Sequence, residues 1–400
     1  MASWPRGKFL LGVTLLLVAV GIIFLLAVHS GIVGGGATRL LDVSLCSRNV
    51  WERLIFYRDG LKIFFKRPLA GWGGGGWKAL YLSIRSFPYA TRATHNLYLQ
   101  LLIEGGVVGA ALFLLFSLIR ETAGALGSDR TPWTTVLFGG LLLSFLHGFV
   151  DFNFSLGAYQ LGVWFLAGCA ASFFLGKHCS PEANRSVRLH PLAIGLVSLF
   201  LFTLASSSVV AEWWYTFGRY FVEEDELDEA IRVLEKATRL EPWNPEIYYY
   251  LSKTLRKKAN LERSKAIHTK AVEAGERAIR LAPYNSLFLE HLGILYAERG
   301  EFHRALSFME RAIAADPLRI SPYLNLAKMC RIAGIHSLEK GEKEEALFFL
   351  ERGIRVRELL EKARERSLEP PQWDPAEVQE VETLVEELGK LKAGLPQSQE

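Results

Sequence analysis

Arg92-Ala93-Thr94-His95-Asn96-Leu97-Tyr98-Leu99-Gln100-Leu101-Leu102-Ile103-Glu104-Gly105-Gly106-Val107-Val108-Gly109 is the stretch where a long polar loop turns into an apolar helix. A histidine and an asparagine stand at the mouth of the run, and a glutamate and three glycines lie inside it. An ionisable group held in an apolar segment is costly and reads by default as functional. Asn96 fits a helix N-cap better than a substrate contact. Gly105, Gly106 and Gly109 fit close packing between helices. Glu104 has two readings of equal weight: pairing with a loop arginine to lower its burial cost, or holding substrate.

The run that follows His95 is one of five apolar segments, at residues 9–28, 96–118, 134–150, 158–175 and 191–211. Each has a length suited to a bilayer span. The first reads as a retained transmembrane helix, because it is too long and too poorly cleavable for a signal peptide. Arg6 and Lys8 before it, Arg120 and Arg130 between the second and third spans, and Lys177, Arg185 and Arg188 between the last two mark the cytoplasmic face. The loop at 29–95 carries ten Lys and Arg, yet a loop beyond about 60 residues contributes little to orientation. The loop and everything after Ala211 are therefore placed outside the cytoplasm.

Several function classes fall away. A net charge of +4 over 400 residues gives no reason to expect nucleic acid. Cys46, Cys169, Cys179 and Cys330 form no CxxC pair, so neither a zinc site nor a disulfide framework is indicated. Gly71 to Gly76 fits G-x-G-x-x-G but lacks a βαβ context, and no Gly-Lys-Ser/Thr follows it. A flexible hinge is the plainer reading of that run; a backbone nest for phosphate is the other. His147 and Asp151 are one helical turn apart and would share a face, as a structural pair rather than a catalytic dyad.

After Ala211 the pattern changes to paired amphipathic helices. Arg239-Leu240-Glu241-Pro242, Arg280-Leu281-Ala282-Pro283 and Ala314-Ala315-Asp316-Pro317 each close a segment. Pro283 and Pro317 are 34 residues apart, and Pro242 and Pro283 are 41 apart. The shorter spacing is the tetratricopeptide period and the longer one that period with an insertion. Trp214, Phe217, Gly218, Phe221, Ala230, Leu234 and Ala237 fall on the repeat's packing positions. Leu289, Leu292, Gly293, Tyr296, Ala305, Met309 and Ala312 do the same one repeat further on. The stretch 212–367 thus resembles tetratricopeptide repeats, followed at 368–400 by a polar tail with one capping helix.

The loop itself carries Arg48-Asn49-Val50-Trp51, then Pro68-Leu69-Ala70-Gly71-Trp72-Gly73. The next elements are His95-Asn96-Leu97-Tyr98-Leu99-Gln100, Glu104-Gly105-Gly106-Val107-Val108-Gly109 and His147-Gly148-Phe149-Val150-Asp151-Phe152. Together these resemble the O-antigen ligase and polymerase family of membrane glycosyltransferases over 48–154. The resemblance implies transfer of a glycan from a polyprenyl diphosphate to an acceptor hydroxyl at the outer face of a bacterial cytoplasmic membrane. It implies no metal or nucleotide cofactor, since the diphosphate is the leaving group. His95 corresponds to the motif histidine that takes or positions the acceptor proton, and Arg48 to the arginine that holds the diphosphate. Arg67, Arg92, Asn96 and Glu104 are the expected substrate contacts. Imidazole has a suitable basicity for the first role, and a planar guanidinium the geometry for the second.

The expectation is an all-α chain: a polytopic bundle of five spans followed by a tetratricopeptide α-solenoid. Its segments are 1–28 (first span), 29–95 (extracytoplasmic loop), 96–211 (four spans), 212–367 (repeats) and 368–400 (tail). Its expected partners are the membrane, the lipid-linked glycan and a protein bound by the repeats. The resemblance implies more spans than five, so a second class of function stays open. That alternative is a catalytically inactive or truncated membrane-anchored repeat scaffold.

Overall fold

The computed structural model describes residues 48–127, 132–149, 162–163, 165–166 and 191–395, with no strand among them. By its packing the chain divides into two units, Met1–Ile55 and Phe56–Glu400. In the first, the described residues open helix α1 (Arg48–Phe64), where Arg48 pairs with Glu52 at 2.9 Å. All further description concerns the second unit.

The loop expected at 29–95 is not irregular throughout. It holds all of α1 and of α2 (Gly76–Ile84). The apolar segments that follow supply α3 (Leu97–Gly127), α4 (Pro132–His147) and α5 (Pro191–Glu223). Among the described residues no helix is long and apolar enough to cross a membrane. The expected five-span bundle is therefore without support here. The segment at 9–28 lies outside the described residues, as does most of 158–175. The segment expected as one span at 96–118 is instead broken: Gly106 has φ 65° and ψ −171°, outside helical geometry.

The solenoid is built from α5 and α6 (Leu227–Leu240), α7 (Pro245–Glu262) and α8 (Lys265–Leu281), α9 (Ser286–Glu298) and α10 (Phe302–Ala315), and α11 (Ser321–Glu339) and α12 (Lys343–Ile354). Each pair packs on the next. Helices α13 (Val356–Arg366) and α14 (Pro375–Ala393) follow, α14 packing on α11 and α12. Small residues let paired helices touch. A Cβ on Gly218 would lie 2.6 Å from Leu234, one on Gly293 3.1 Å from Met309, and one on Gly334 2.8 Å from Leu350. Ala230, Ala237, Ala305, Ala312 and Ala346 are wholly buried beside them.

The second pair departs from this rule. Ser252 holds the place of the packing glycine, and Gly275 faces it where the other pairs carry Leu or Met, with a Cβ on Gly275 reaching 3.1 Å from the Ser252 oxygen. The imidazole of His291, from the next helix, enters this region with Nε2 2.9 Å from Ser252 Oγ. The serine hydroxyl already donates to the Ala271 carbonyl at 2.6 Å. His291 must then donate through Nε2, and burial together with the nearby Arg256 charge lowers its pKa to about 3.

Each turn within a pair uses one left-handed residue: Asp225, Arg263, Gly300 and Gly341. Glycine adopts that conformation freely, whereas other L-residues pay about 1–2 kcal/mol. Arg263, with φ 51°, is expected to gain about 1 kcal/mol on Arg263→Gly, read as a rise in the urea midpoint of the full chain. His291 sets a pH dependence. The unfolded imidazole protonates near 6.5 and the folded one only near 3. Its contribution is fully present above pH 6.5 and is lost as pH falls toward 3, by up to about 5 kcal/mol. Unfolding midpoints across that window should fall steeply in the native chain and less steeply in His291→Gln.

Candidate functional site

The loop is organised around a buried carboxylate. Asp59 is wholly buried and accepts from Ser86 N–H (2.9 Å), Ser86 Oγ (2.6 Å) and the Tyr89 hydroxyl (3.1 Å). Lys62 Nζ adds an ion pair at 2.8 Å, and Arg58 donates to Ser86 Oγ at 2.5 Å. A buried carboxylate is tolerable only when satisfied to this degree. Burial and the adjacent Asp59 charge push the Tyr89 phenol well above its ordinary pKa, so it stays a neutral donor. The next residue, Gly60, lets α1 meet α3: a Cβ there would lie 2.8 Å from Leu99.

Two of the quoted motifs interlock through their backbones. Trp72 N–H donates to the Ile103 carbonyl and Gly73 N–H to that of Glu104, both at 2.9 Å. In return Val107 N–H donates to Pro68 O at 2.8 Å. The chains approach too closely for side chains. A Cβ on Gly71 would lie 2.5 Å from Glu104 backbone atoms, and one on Gly106 2.1 Å from Leu69 O. Gly106 therefore serves a turn and not the helix packing expected of it. The run at 71–76 is packed at its two ends, Gly71 (φ 66°) against the Glu104 backbone and Gly76 against Trp72, and open at Gly73, Gly74 and Gly75.

Among the described residues Glu104 pairs with no loop arginine. Its Oε1 accepts from Gly75 N–H (3.0 Å) and from Gln100 Nε2 (2.5 Å). The anion at the N-terminus of α2 is thus the chain's own carboxylate, where the helix dipole favours negative charge. Gln100 Oε1 in turn accepts from Thr94 N–H at 3.2 Å. A single chain of hydrogen bonds runs from the glycine turn to the residue before His95.

His95 itself is held on three sides. Its φ of 56° lies in the left-handed region, which a non-glycine residue enters at a cost. Its carbonyl accepts from the Tyr57 hydroxyl at 3.1 Å, and its ring stacks on Phe56 at 5.7 Å. That stack continues through Phe56 to Tyr89 (4.7 Å), Tyr81 (5.8 Å) and the fully buried Trp77 (5.5 Å). Asn96 caps α3 through Oδ1, which accepts from Leu99 N–H at 3.0 Å. Its Nδ2 donates to the Phe149 carbonyl at 2.9 Å. Leu97 N–H donates to Gly148 O at 2.7 Å, and Tyr98 stacks on Phe149 at 4.0 Å. The segment from His147 is thereby docked against the start of α3. Asp151, its expected face-mate, lies outside the described residues.

The remaining candidates are spread more widely. Arg92 is exposed and has no ion pair or hydrogen bond among the described residues. Arg67 lies over the Trp72 ring at 5.0 Å. Arg48 belongs to the first unit and His95 to the second. Arg58, Lys62 and Arg85 are engaged within the second unit, so the loop offers fewer free cations than its sequence suggests. Among the described residues no group of His, Cys, Asp or Glu is placed to hold a metal. Asp59 and Gln100 organise the site; Gln100 closes one of the quoted motifs, whereas Asp59 belongs to none of them.

Residues 1–114 match the family described as O-Antigen ligase, and residues 211–254 match that described as Tetratricopeptide repeat. The chain thus joins an O-antigen ligase-like segment to tetratricopeptide repeats, as its motifs suggest. No curated protein matches the chain. Similar solved structures include the MamA protein, with 19% identity over 48% of this chain and 98% of that one and a TM-score of 0.30. YrrB, a TPR protein with an unusual peptide-binding site, is 24% identical over 43% of this chain and 88% of that one, with a TM-score of 0.29. MamA 41-end from Desulfovibrio magneticus RS-1 is 15% identical over 59% and 99%, also at 0.29.

The glycine interlock yields a paired test. Gly106 has a φ/ψ that only glycine populates and no room for Cβ, whereas a Cβ on Gly109 would meet nothing within 4 Å. Gly106→Ala should cost about 3 kcal/mol or more, while Gly109→Ala should gain about 1 kcal/mol in a helix. Thermal unfolding of the detergent-solubilised chain separates the two.

Proposed function

We propose that the protein is an O-antigen ligase-like membrane transferase. It moves a glycan from a polyprenyl diphosphate to an acceptor hydroxyl at the outer face of a bacterial cytoplasmic membrane. The acceptor oxygen forms a bond to the anomeric carbon as the bond from that carbon to the diphosphate oxygen breaks. The hydroxyl proton passes to the His95 imidazole, and the electron pair leaves with the diphosphate. Arg48 holds that leaving group by the family pattern, and Arg92 offers a free cation beside the motif. Asn96, Glu104 and Arg67 are better described as positioning residues. The carboxamide and carboxylate are spent on caps and backbone donors, and the guanidinium on Trp72.

The observation that carries this reading is the convergence at His95. Three motif segments are tied together around it, and among their described residues it alone is a non-glycine residue held left-handed. Strain of that kind, kept by surrounding contacts, is a mark of functional positions. The membrane setting draws on α5. Leu196, Leu199, Phe200, Phe202 and Val209 are exposed along it and lead to an exposed Trp213 and Tyr220. Water does not favour such a surface, while a bilayer with an aromatic belt at its edge would cover it. The loop and the solenoid touch, with Arg85 to Asp316 at 2.7 Å and Leu368 N–H to Ser86 O at 2.7 Å. They would then share one side of the membrane, in keeping with an even number of crossings between them. The repeats also suit a protein partner, since helical-repeat surfaces serve recognition.

Membranes carrying the chain are assayed for transfer from a polyprenyl diphosphate-linked oligosaccharide. His95→Ala should reduce the rate about 10²–10⁴-fold, and His303→Ala, on the exposed solenoid surface, should leave it intact. Equal rates in His95→Ala and the native chain would remove His95 from the mechanism. No transfer by either would favour the scaffold.

A further inference from the structure

Between the loop and the third helix pair of the solenoid lies an open cleft of about 500 Å³. That size suits a few sugar or amino-acid units and falls within the range of small-ligand sites. One wall is the ligase-like segment: Lys66 after the end of α1, Trp72 of the glycine turn and Ser83 of α2. The other is repeat surface, chiefly Tyr284 and Arg311.

Three features of the cleft specify an occupant. Its charge is of one sign, since Lys66 and Arg311 line it and no lining residue is acidic. Both cations are exposed, and neither has an ion pair or hydrogen bond among the described residues; Arg311 rests only on the Phe308 ring at 5.1 Å. Most other Lys and Arg at the joint between loop and solenoid are spent, as in Arg85 on Asp316 and Arg319 on Glu290. Finally, two aromatic rings stand edge to face at the opening. Trp72 and Tyr284 are 6.2 Å apart at 88°, with Trp72 fixed by its Nε1 donating to the Ile63 carbonyl at 3.1 Å. Fixed rings give flat apolar area at little entropic cost, which suits the C–H faces of pyranose rings. Charge alone would suit an acidic peptide equally well. The paired rings, and a wall taken from the glycine turn, favour a sugar.

We infer that this cleft binds an anionic oligosaccharide, one carrying carboxylate groups on its pyranose units. Tyr284 stacks on a sugar face beside Trp72, which carries Arg67 on one side of its ring, while Lys66 and Arg311 meet the carboxylates. The repeat segment then acts as half of a glycan-binding site beside the transferase segment. The inference rests on the glycan-transfer reading, and it adds to it a charge class for the glycan.

The test is direct binding to the full chain in detergent, by titration calorimetry with tetragalacturonate, maltotetraose and tetraglutamate. Tetragalacturonate should bind, weaken at high salt, and exceed the neutral maltotetraose by about tenfold or more. Lys66→Ala/Arg311→Ala should erase that advantage while leaving the unfolding midpoint in place, since both side chains are exposed. Tyr284→Ala should weaken both sugars. No binding of tetragalacturonate, binding indifferent to the double substitution, or tetraglutamate binding as tightly would each overturn the inference. His95→Ala separates the two proposals. It should slow transfer about 10²–10⁴-fold and keep tetragalacturonate binding. Failure of the native chain to bind tetragalacturonate, with His95-dependent transfer intact, would reject this inference alone.

Discussion

The loop depends on a contact between two pieces of bare backbone. Where Gly71 meets Glu104 and Gly106 meets Leu69, there is no space for even one methyl group. That approach lets four amides and carbonyls pair across the turn, and it breaks α3 after its second turn. Once the break is fixed, Glu104 points at the start of α2 and can cap it. With α2 placed, Trp77 and Tyr81 extend the aromatic stack that ends on His95. A glycine pair thus governs a histidine more than ten residues away without touching it.

The same loop is joined to the repeats by polar contacts that exclude alternatives. Arg85 donates to Asp316 at 2.7 Å and to the Tyr89 carbonyl at 3.0 Å. Both members of the ion pair are largely buried, and burial raises the Asp316 pKa even though Arg85 and Arg319 pull it down. The desolvation cost therefore outweighs the attraction at that carboxyl, and the pair contributes little net stability. Its value is in position. An arginine this deep has few other partners, so the solenoid can seat on the loop in few ways. The tail completes the joint, with Trp373 donating to the Leu318 carbonyl at 2.7 Å and Leu368 to Ser86.

What the sequence discloses follows from the range of its contacts. The repeats were legible because most packing positions recur at a fixed period and meet a partner in the same or the adjoining pair, although Phe217, placed among them by spacing, is exposed. Leu234, Leu292, Met309 and Ala312 were readable from spacing, and all are buried. Asn96 was readable as a cap because capping is settled within one turn. The loop obeys no period. Asp59 finds Ser86 27 residues on, and Arg85 finds Asp316 231 residues on. Charge counting cannot reveal such pairings: a total of ten Lys and Arg in the loop does not show that Arg58, Lys62 and Arg85 are engaged. Gly106 was misassigned for a related reason. A glycine in an apolar helix signals close approach, but not whether the neighbour is a helix or a turn.

A strained residue is useful only if its supports are stiffer than it is. The left-handed backbone at His95 would relax if Tyr57, Thr94 or Asn96 could move. Each is fixed by a second contact: Tyr57 also reaches the Phe149 carbonyl at 3.2 Å, Thr94 Oγ1 donates to Asn96 O at 2.8 Å, and Asn96 ties α3 to Phe149. The imidazole is carried by a ring stack whose far end, Trp77, is sealed in the core. Precise placement of a reacting group requires this kind of second layer. The repeats extend the same logic outward. By gripping Arg85 and Ser86 they brace the loop at the end of α2, so a solenoid that suits recognition also holds the segment that carries the histidine.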